Sequence, residues 1–268
     1  MTPGRRALLA GLATLPFLLP VHPARARDGA PDLFELPWPD MERIDSTLWI
    51  RRVAPDLWVT CFTFHQGDVF GYVPANGLIV ASDDGATIVD TGWTAEQGRA
   101  LLATARRVTG KPAIRAVATH YHFDRTGGAL AMREAGVPLL AHPFATGLAR
   151  AYGMPEPEPV KGLEKGPVSV GPVELFFPGA GHTRDNITVW HPGSATLYGG
   201  CLVKATSSRD LGNLEDADTD AYAGSIEAVA RHYPERRRTV PGHGTVAGDS
   251  LAHTLALAQR LPRTPDRP

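Results

Sequence analysis

The chain has 268 residues, 43% of them hydrophobic and 21% charged, which supplies a substantial core and excludes a disordered tail. Residues 1–26 contain three arginines and no acid, leaving 24 of the 27 basic side chains against all 28 acidic ones, a balance that argues against nucleic-acid binding through bulk charge. Two cysteines exclude a disulfide scaffold and an all-cysteine zinc site.

Arg5 and Arg6 precede an apolar stretch at 7–21, and Ala24-Arg25-Ala26 offers small residues at an A-x-A cleavage position. The segment 1–26 reads as a signal peptide cleaved near Ala26, by either the Sec or the twin-arginine route, which predicts export to the periplasm. It is short and broken by Pro16 and Pro20, so no stable membrane anchor is expected. Residues 27–47 predict a surface arm. Strands are expected at 48–52, 57–64, 73–81 and 86–90, with a loop at 65–71. Thr94 and Gln97 form a capping-box pattern that opens a helix, and Gly110 is placed to close it. A short strand at 114–119, a helix at 128–135, a strand at 139–142 and a helix at 144–152 follow. The Pro-rich stretch 153–166 reads as a link between two halves. Further strands are expected at 173–177, 187–190 and 196–199 and before Val240, with helices at 218–233 and 251–260. Two β-then-α halves in one domain, 27–268, predict two face-to-face sheets with helices outside, an α/β sandwich.

The chemistry gathers at the strand ends. Thr119-His120-Tyr121-His122-Phe123-Asp124-Arg125-Thr126-Gly127-Gly128 follows an apolar strand directly. Alternate residues of an extended segment point the same way, so His120, His122 and Asp124 can share one rim, and imidazole and carboxylate are zinc ligands. His182, Cys201 and His243 each lie just after a predicted strand, beside glycines that allow close backbone approach to a metal. A catalytic zinc takes about three protein ligands, so six candidates divide economically into two zinc sites.

This arrangement resembles the subclass B1 enzymes of the metallo-β-lactamase superfamily. The resemblance rests on Val73-Pro74-Ala75-Asn76-Gly77-Leu78-Ile79, Asp90-Thr91-Gly92-Trp93, the H-x-H-x-D-R run, Gly199-Gly200-Cys201-Leu202-Val203-Lys204, Gly212-Asn213 and Pro241-Gly242-His243-Gly244. It implies an αββα fold with two zinc ions per chain, one on His120, His122 and His182 and the other on Asp124, Cys201 and His243. It implies hydrolysis of the β-lactam amide bond of penicillins, cephalosporins and carbapenems by a metal-bound hydroxide, and hence antibiotic resistance. Lys204 and Asn213 match substrate-binding positions, Asn213 as an aid to carbonyl polarisation, and Asp124 doubles as a catalytic group that orients the attacking hydroxide. Arg125 stands where thioesterase-like and lactonase-like relatives carry a metal-binding His, and Cys201 stands where they carry a bridging Asp. Both differences weigh against another hydrolase of the same fold acting on thioesters, lactones or phosphodiesters.

Other residues take lesser parts. Trp93, Phe64 and Phe70 are expected to offer apolar surface to the substrate, and Arg125 to contact Asp90 and the metal loop. His65, His142, His191, His232 and His253 match no ligand position. Cys61 is expected to be buried and free rather than bonded to Cys201. With no apolar seam demanding a partner subunit, a monomer is expected.

Overall fold

The computed structural model describes residues 34–151 and 153–261, and within these every side chain except those of Val69 and Phe70. The expected signal peptide, the last residue of the helix expected at 144–152 and the tail from 262 lie outside the described residues.

The first sheet has eight strands in sequence order: β1 (Glu42–Arg43), β2 (Leu48–Ala54), β3 (Leu57–His65), β4 (Tyr72–Ala81), β5 (Ala86–Val89), β6 (Ala113–Val117), β7 (Leu139–Ala141) and β8 (Glu158–Pro159). It is antiparallel from β1 to β5 and parallel from β5 to β8. Parallel neighbours need crossovers. Helix α2 (Ala95–Thr109) joins β5 to β6, and α3 (Phe123–Thr126) with α4 (Ala129–Glu134) joins β6 to β7. A short α1 (Gly67–Phe70) sits between β3 and β4, and α5 (Pro143–Ala151) precedes β8. The second sheet holds β9 (Val168–Val170), β10 (Val173–Phe176), β11 (Thr188–His191), β12 (Thr196–Gly200) and β13 (Arg238–Pro241), in the order β13-β12-β11-β10-β9. Helices α6 (Tyr222–His232) and α7 (Ser250–Ala258) cover it.

The period of two in the strands builds the layers. On β4, Leu78 and Val80 point between the sheets, where they meet Val173, Leu175, Val189 and Val240. Ile79, between them, points outward to Leu101, Ala105 and Met132 of the helical layer. Each such side chain is fully buried and contributes about 1.5–3 kcal/mol of transfer free energy. On the far side Trp190 and Leu197 pack under Ile226, Val229, Leu251 and Leu257. The result is helix, sheet, sheet, helix, as the sequence pattern predicts.

Local signals hold where they were specific. Thr94 Oγ1 accepts the Gln97 N–H, and Gln97 Oε1 accepts the Trp93 N–H at 2.8 Å. Helix α2 closes at Gly110 with φ 73°, a left-handed residue. The differences lie in short elements and at one helix start. Strands β1, β8 and β9 have two or three residues each, too few to show a period. The stretch expected to be a link carries β8, and its Val160 and Leu163 are buried between the sheets. Helix α6 starts at Tyr222 rather than 218, because Asp218 Oδ1 accepts the Ala221 N–H and holds a turn before the helix.

Candidate metal centre

The site begins at Asp90, just past β5, a non-glycine residue at φ 61°. Its buried carboxylate accepts the Thr119 N–H at 2.8 Å, the Thr119 hydroxyl at 2.9 Å and the Tyr198 hydroxyl at 2.6 Å. These bonds fix where the chain leaves β6. His120 and His122 follow in the loop, and the single turn α3 presents Asp124. His182 comes from the loop after β10, Cys201 from the end of β12 and His243 from just past β13. The six expected ligands therefore converge from both sheets.

Three overlapping sets have their ligand atoms within 4.8 Å of one another: His120 with His122 and Asp124, His120 with His182 and Cys201, and Asp124 with Cys201 and His243. The imidazoles of His120, His122 and His182 stand edge to face, with centroids 4.7–5.2 Å apart. Cys201 Sγ lies 3.3 Å from Asp124 Oδ2 and 3.1 Å from His243 Nε2, and that nitrogen lies 3.1 Å from the same carboxylate oxygen.

The donor set fits a metal. His243 Nδ1 is bonded to the Pro74 carbonyl, which can only accept, so Nδ1 carries the proton and Nε2 turns a lone pair toward Cys201 and Asp124. His122 Nε2 is 3.0 Å from Asp216 Oδ2, which leaves Nδ1 for the centre. Burial pushes His120 and His182 well below the usual imidazole range, so both rings are neutral and can ligate. Burial works against the Asp124 carboxylate, but the adjacent Arg125 guanidinium holds its pKa well below the usual range. For His243 burial acts downward, while Cys201 and Asp124 lift it to about 9, so without a metal Nε2 also holds a proton, and a bound cation would displace it to take the lone pair. A thiol, a carboxylate and four imidazoles gathered in so small a space can all donate electron pairs, and cations would satisfy them together.

Arg125 is wholly buried and reaches Asp90 (3.2 Å), Asp124 (2.8 Å), Cys201 Sγ (2.9 Å) and the carbonyls of Asn76 (2.7 Å) and Gly242 (2.9 Å). Cys61 and Cys201 are both free, and Cys61 is fully buried.

An open cavity of about 630 Å³ lies over the donors. Lys204, Asn213 and Trp93 line it. Asn213 Oδ1 accepts the Glu215 N–H at 3.0 Å, so the NH₂ end remains a donor. Phe64 stacks on Trp93 at 5.5 Å and stands behind it rather than among the lining residues. The Phe70 side chain lies outside what is described. Phe123 and Asp216 are among the lining residues that escaped the sequence reading. Phe123, inside the H-x-H-x-D run, is 48% exposed at the rim. Asp216, the partner of His122, lies 94 residues away in the chain, and only its acidic run hints at a role.

Residues 71–243 match the metallo-beta-lactamase superfamily. The chain belongs to that superfamily. It is 37% identical over 218 residues to the metallo-beta-lactamase type 2 of Bacillus cereus, covering 79% of this chain and 82% of that one. The corresponding protein of Bacteroides fragilis is 31% identical over 203 residues, 74% and 81% of the two chains. Among solved structures, a metallo-beta-lactamase from Erythrobacter litoralis superposes with TM-score 0.78 at 36% identity, over 83% of this chain and all of that one. FIM-1 from Pseudomonas aeruginosa, in its mono-zinc form, superposes with TM-score 0.77 at 33% identity, over 81% and 96%. The metallo-β-lactamase fold accounts for the convergence of ligands at one edge of both sheets.

Proposed function

We propose that this protein is a subclass B1 metallo-β-lactamase that hydrolyses the amide bond of penicillins, cephalosporins and carbapenems and holds two zinc ions. The observation that carries this reading is the pairing of a six-residue donor set with a cavity that also presents Lys204 and Asn213. His120, His122 and His182 would hold one ion, and Asp124, Cys201 and His243 the other. When bound, zinc supplies Lewis acidity, polarising a carbonyl oxygen and making a water acidic enough to attack at neutral pH.

The chain's own residues do the rest. Lys204 offers an ammonium to the carboxylate that β-lactams carry beside the ring nitrogen. Asn213 donates from its NH₂ end toward the carbonyl oxygen, where charge builds in the transition state. Trp93, backed by Phe64, offers apolar surface to the substituents. Asp124 has one oxygen on the Cys201–His243 side and the other 3.9 Å from His120, so it spans both donor sets and would orient the attacking water between them. Arg125 compensates the negative charge of Asp124 and Asp90 without ligating.

Among the described residues no helix is long and apolar enough to cross a membrane. The proposed setting is the periplasm, reached through the signal peptide at 1–26, with the mature chain a monomer.

Nitrocefin turnover by purified protein, before and after dialysis against a strong chelator, tests the activity. The expected result is turnover that chelation abolishes and zinc restores. Turnover that survives complete metal removal, or none with zinc added, overturns it. Metal analysis of the active protein is expected to give two zinc ions per chain; one ion in a fully active molecule overturns the two-metal reading.

A further inference from the structure

Between Cys201 and Ala221 the chain forms neither helix nor strand, yet this arm carries Lys204 and Asn213 and walls one side of the cavity. Loops on this scale need an external hold if a side chain on them is to be placed to within an ångström. Helix α7 provides two contacts that the core does not require. Thr254 is fully buried, and its Oγ1 lies 2.6 Å from the Ser250 carbonyl one turn back, to which it donates its only proton. A lone pair of the same oxygen accepts the Lys204 N–H at 2.9 Å. The Lys204 carbonyl, at 3.4 Å, is the longer alternative for that proton. One residue earlier, His253 Nε2 lies 2.8 Å from the Ser208 carbonyl, so this nitrogen carries the hydrogen. Leu251 and Leu257 of the same helix are buried in the core under the second sheet, which anchors α7.

We infer that Thr254 and His253 are positioning residues: α7 clamps the arm at Lys204 and at Ser208, and so sets how firmly the Lys204 ammonium can hold a substrate carboxylate. The inference rests on the proposed role of Lys204. The lysine stem is long and flexible, so its grip depends on where the backbone stands.

The test compares Thr254→Val, which keeps the shape and loses the acceptor, with Thr254→Ser, which keeps the hydroxyl. His253→Leu and His253→Gln form the matching pair. Losing one hydrogen bond predicts a rise in KM for a carboxylate-bearing β-lactam of about two- to tenfold in Thr254→Val and His253→Leu. kcat and zinc content should stay close to wild type, and the Ser and Gln variants should behave as wild type. In a Lys204→Ala background Thr254→Val should add nothing, because both act through one group. A readout independent of activity is hydrogen exchange at the Lys204 amide in metal-free protein, expected to be faster in Thr254→Val and unchanged in Thr254→Ser. If Lys204→Ala raises KM but Thr254→Val does not, or if the amide stays protected in Thr254→Val, the clamp is wrong. If Lys204→Ala itself leaves KM unchanged, the reading of Lys204 fails, and amide exchange still decides whether the clamp exists.

Discussion

Arg125 stands against Asp90 and the metal loop, where the sequence predicts, but most of its partners come from distant parts of the chain. The motif shows that it cannot ligate, and its neighbour Asp124 places it near the metal loop. Its partners Asn76, Tyr198, Cys201 and Gly242 lie between 49 and 117 residues away in the chain, and only folding collects them around one guanidinium. Asp185 is a second buried charge, with no sequence signal. Burial pushes its carboxyl up to about 7, and the charge of Asp216 adds to that. The folded pKa lies above the unfolded value of about 3.9, so the folded state binds the proton more tightly. Stability is therefore lost as pH rises from about 4 through 7. Asp185→Asn should stabilise the metal-free protein at pH 8 and do so much less at pH 5. Urea unfolding at the two values checks it, and equal gains at both would contradict a raised pKa. Cys201 allows a direct chemical check: bound zinc should protect its sulfur from alkylation, and Cys201 should react when the metal is stripped. Equal alkylation rates with and without zinc would remove it from the ligand set.

The turn made by α3 and α4 is held by contact rather than by hydrogen-bonding side chains alone. A Cβ on Gly127 would stand 2.1 Å from the Trp93 carbonyl carbon, and one on Gly128 would stand 2.3 Å from the Thr91 carbonyl oxygen. Both glycines have negative φ values close to helical ones, so the requirement is space, not a left-handed backbone. The sequence reading assigned close approach toward a metal to the glycines beside His182, Cys201 and His243; Gly127 and Gly128 serve the approach of one backbone to another. Gly127→Ala should shift the turn that carries Asp124 and destabilise the fold by about 1–3 kcal/mol, the usual cost of overpacking. A lowered urea midpoint together with weaker zinc binding is expected. A variant with wild-type values on both counts would show that the turn yields without effect.

Both sheets contribute to the centre: His120, His122 and Asp124 follow β6, while His182, Cys201 and His243 follow strands of the second sheet. A metal bound there joins the two sheets at one edge and stabilises only the folded chain. Chelation should therefore lower Tm, and added zinc should raise it in a concentration-dependent way. Cys201→Ser should retain part of that rise, because the three-histidine set remains. A Tm independent of zinc would show that the sheets are joined by the apolar core alone.

Much of this molecule is legible in one dimension because its signals are local. Alternating apolar residues mark the strands on both sides of the inter-sheet core, a Thr-x-x-Gln pair opens α2, and six residues of ligand type stand after strand ends. The edge strands β1, β8 and β9 are not legible, since two or three residues carry no period and are held in place by their neighbours. Nor is the pairing of His122 with Asp216, or of Lys204 with Thr254 across 50 residues, since a hydrogen bond depends on distance in space. Local pattern decides which residues can bind a metal; the packing of two sheets and their helices decides which nitrogen of His122 and of His243 turns to the centre and how firmly the surrounding charges are held.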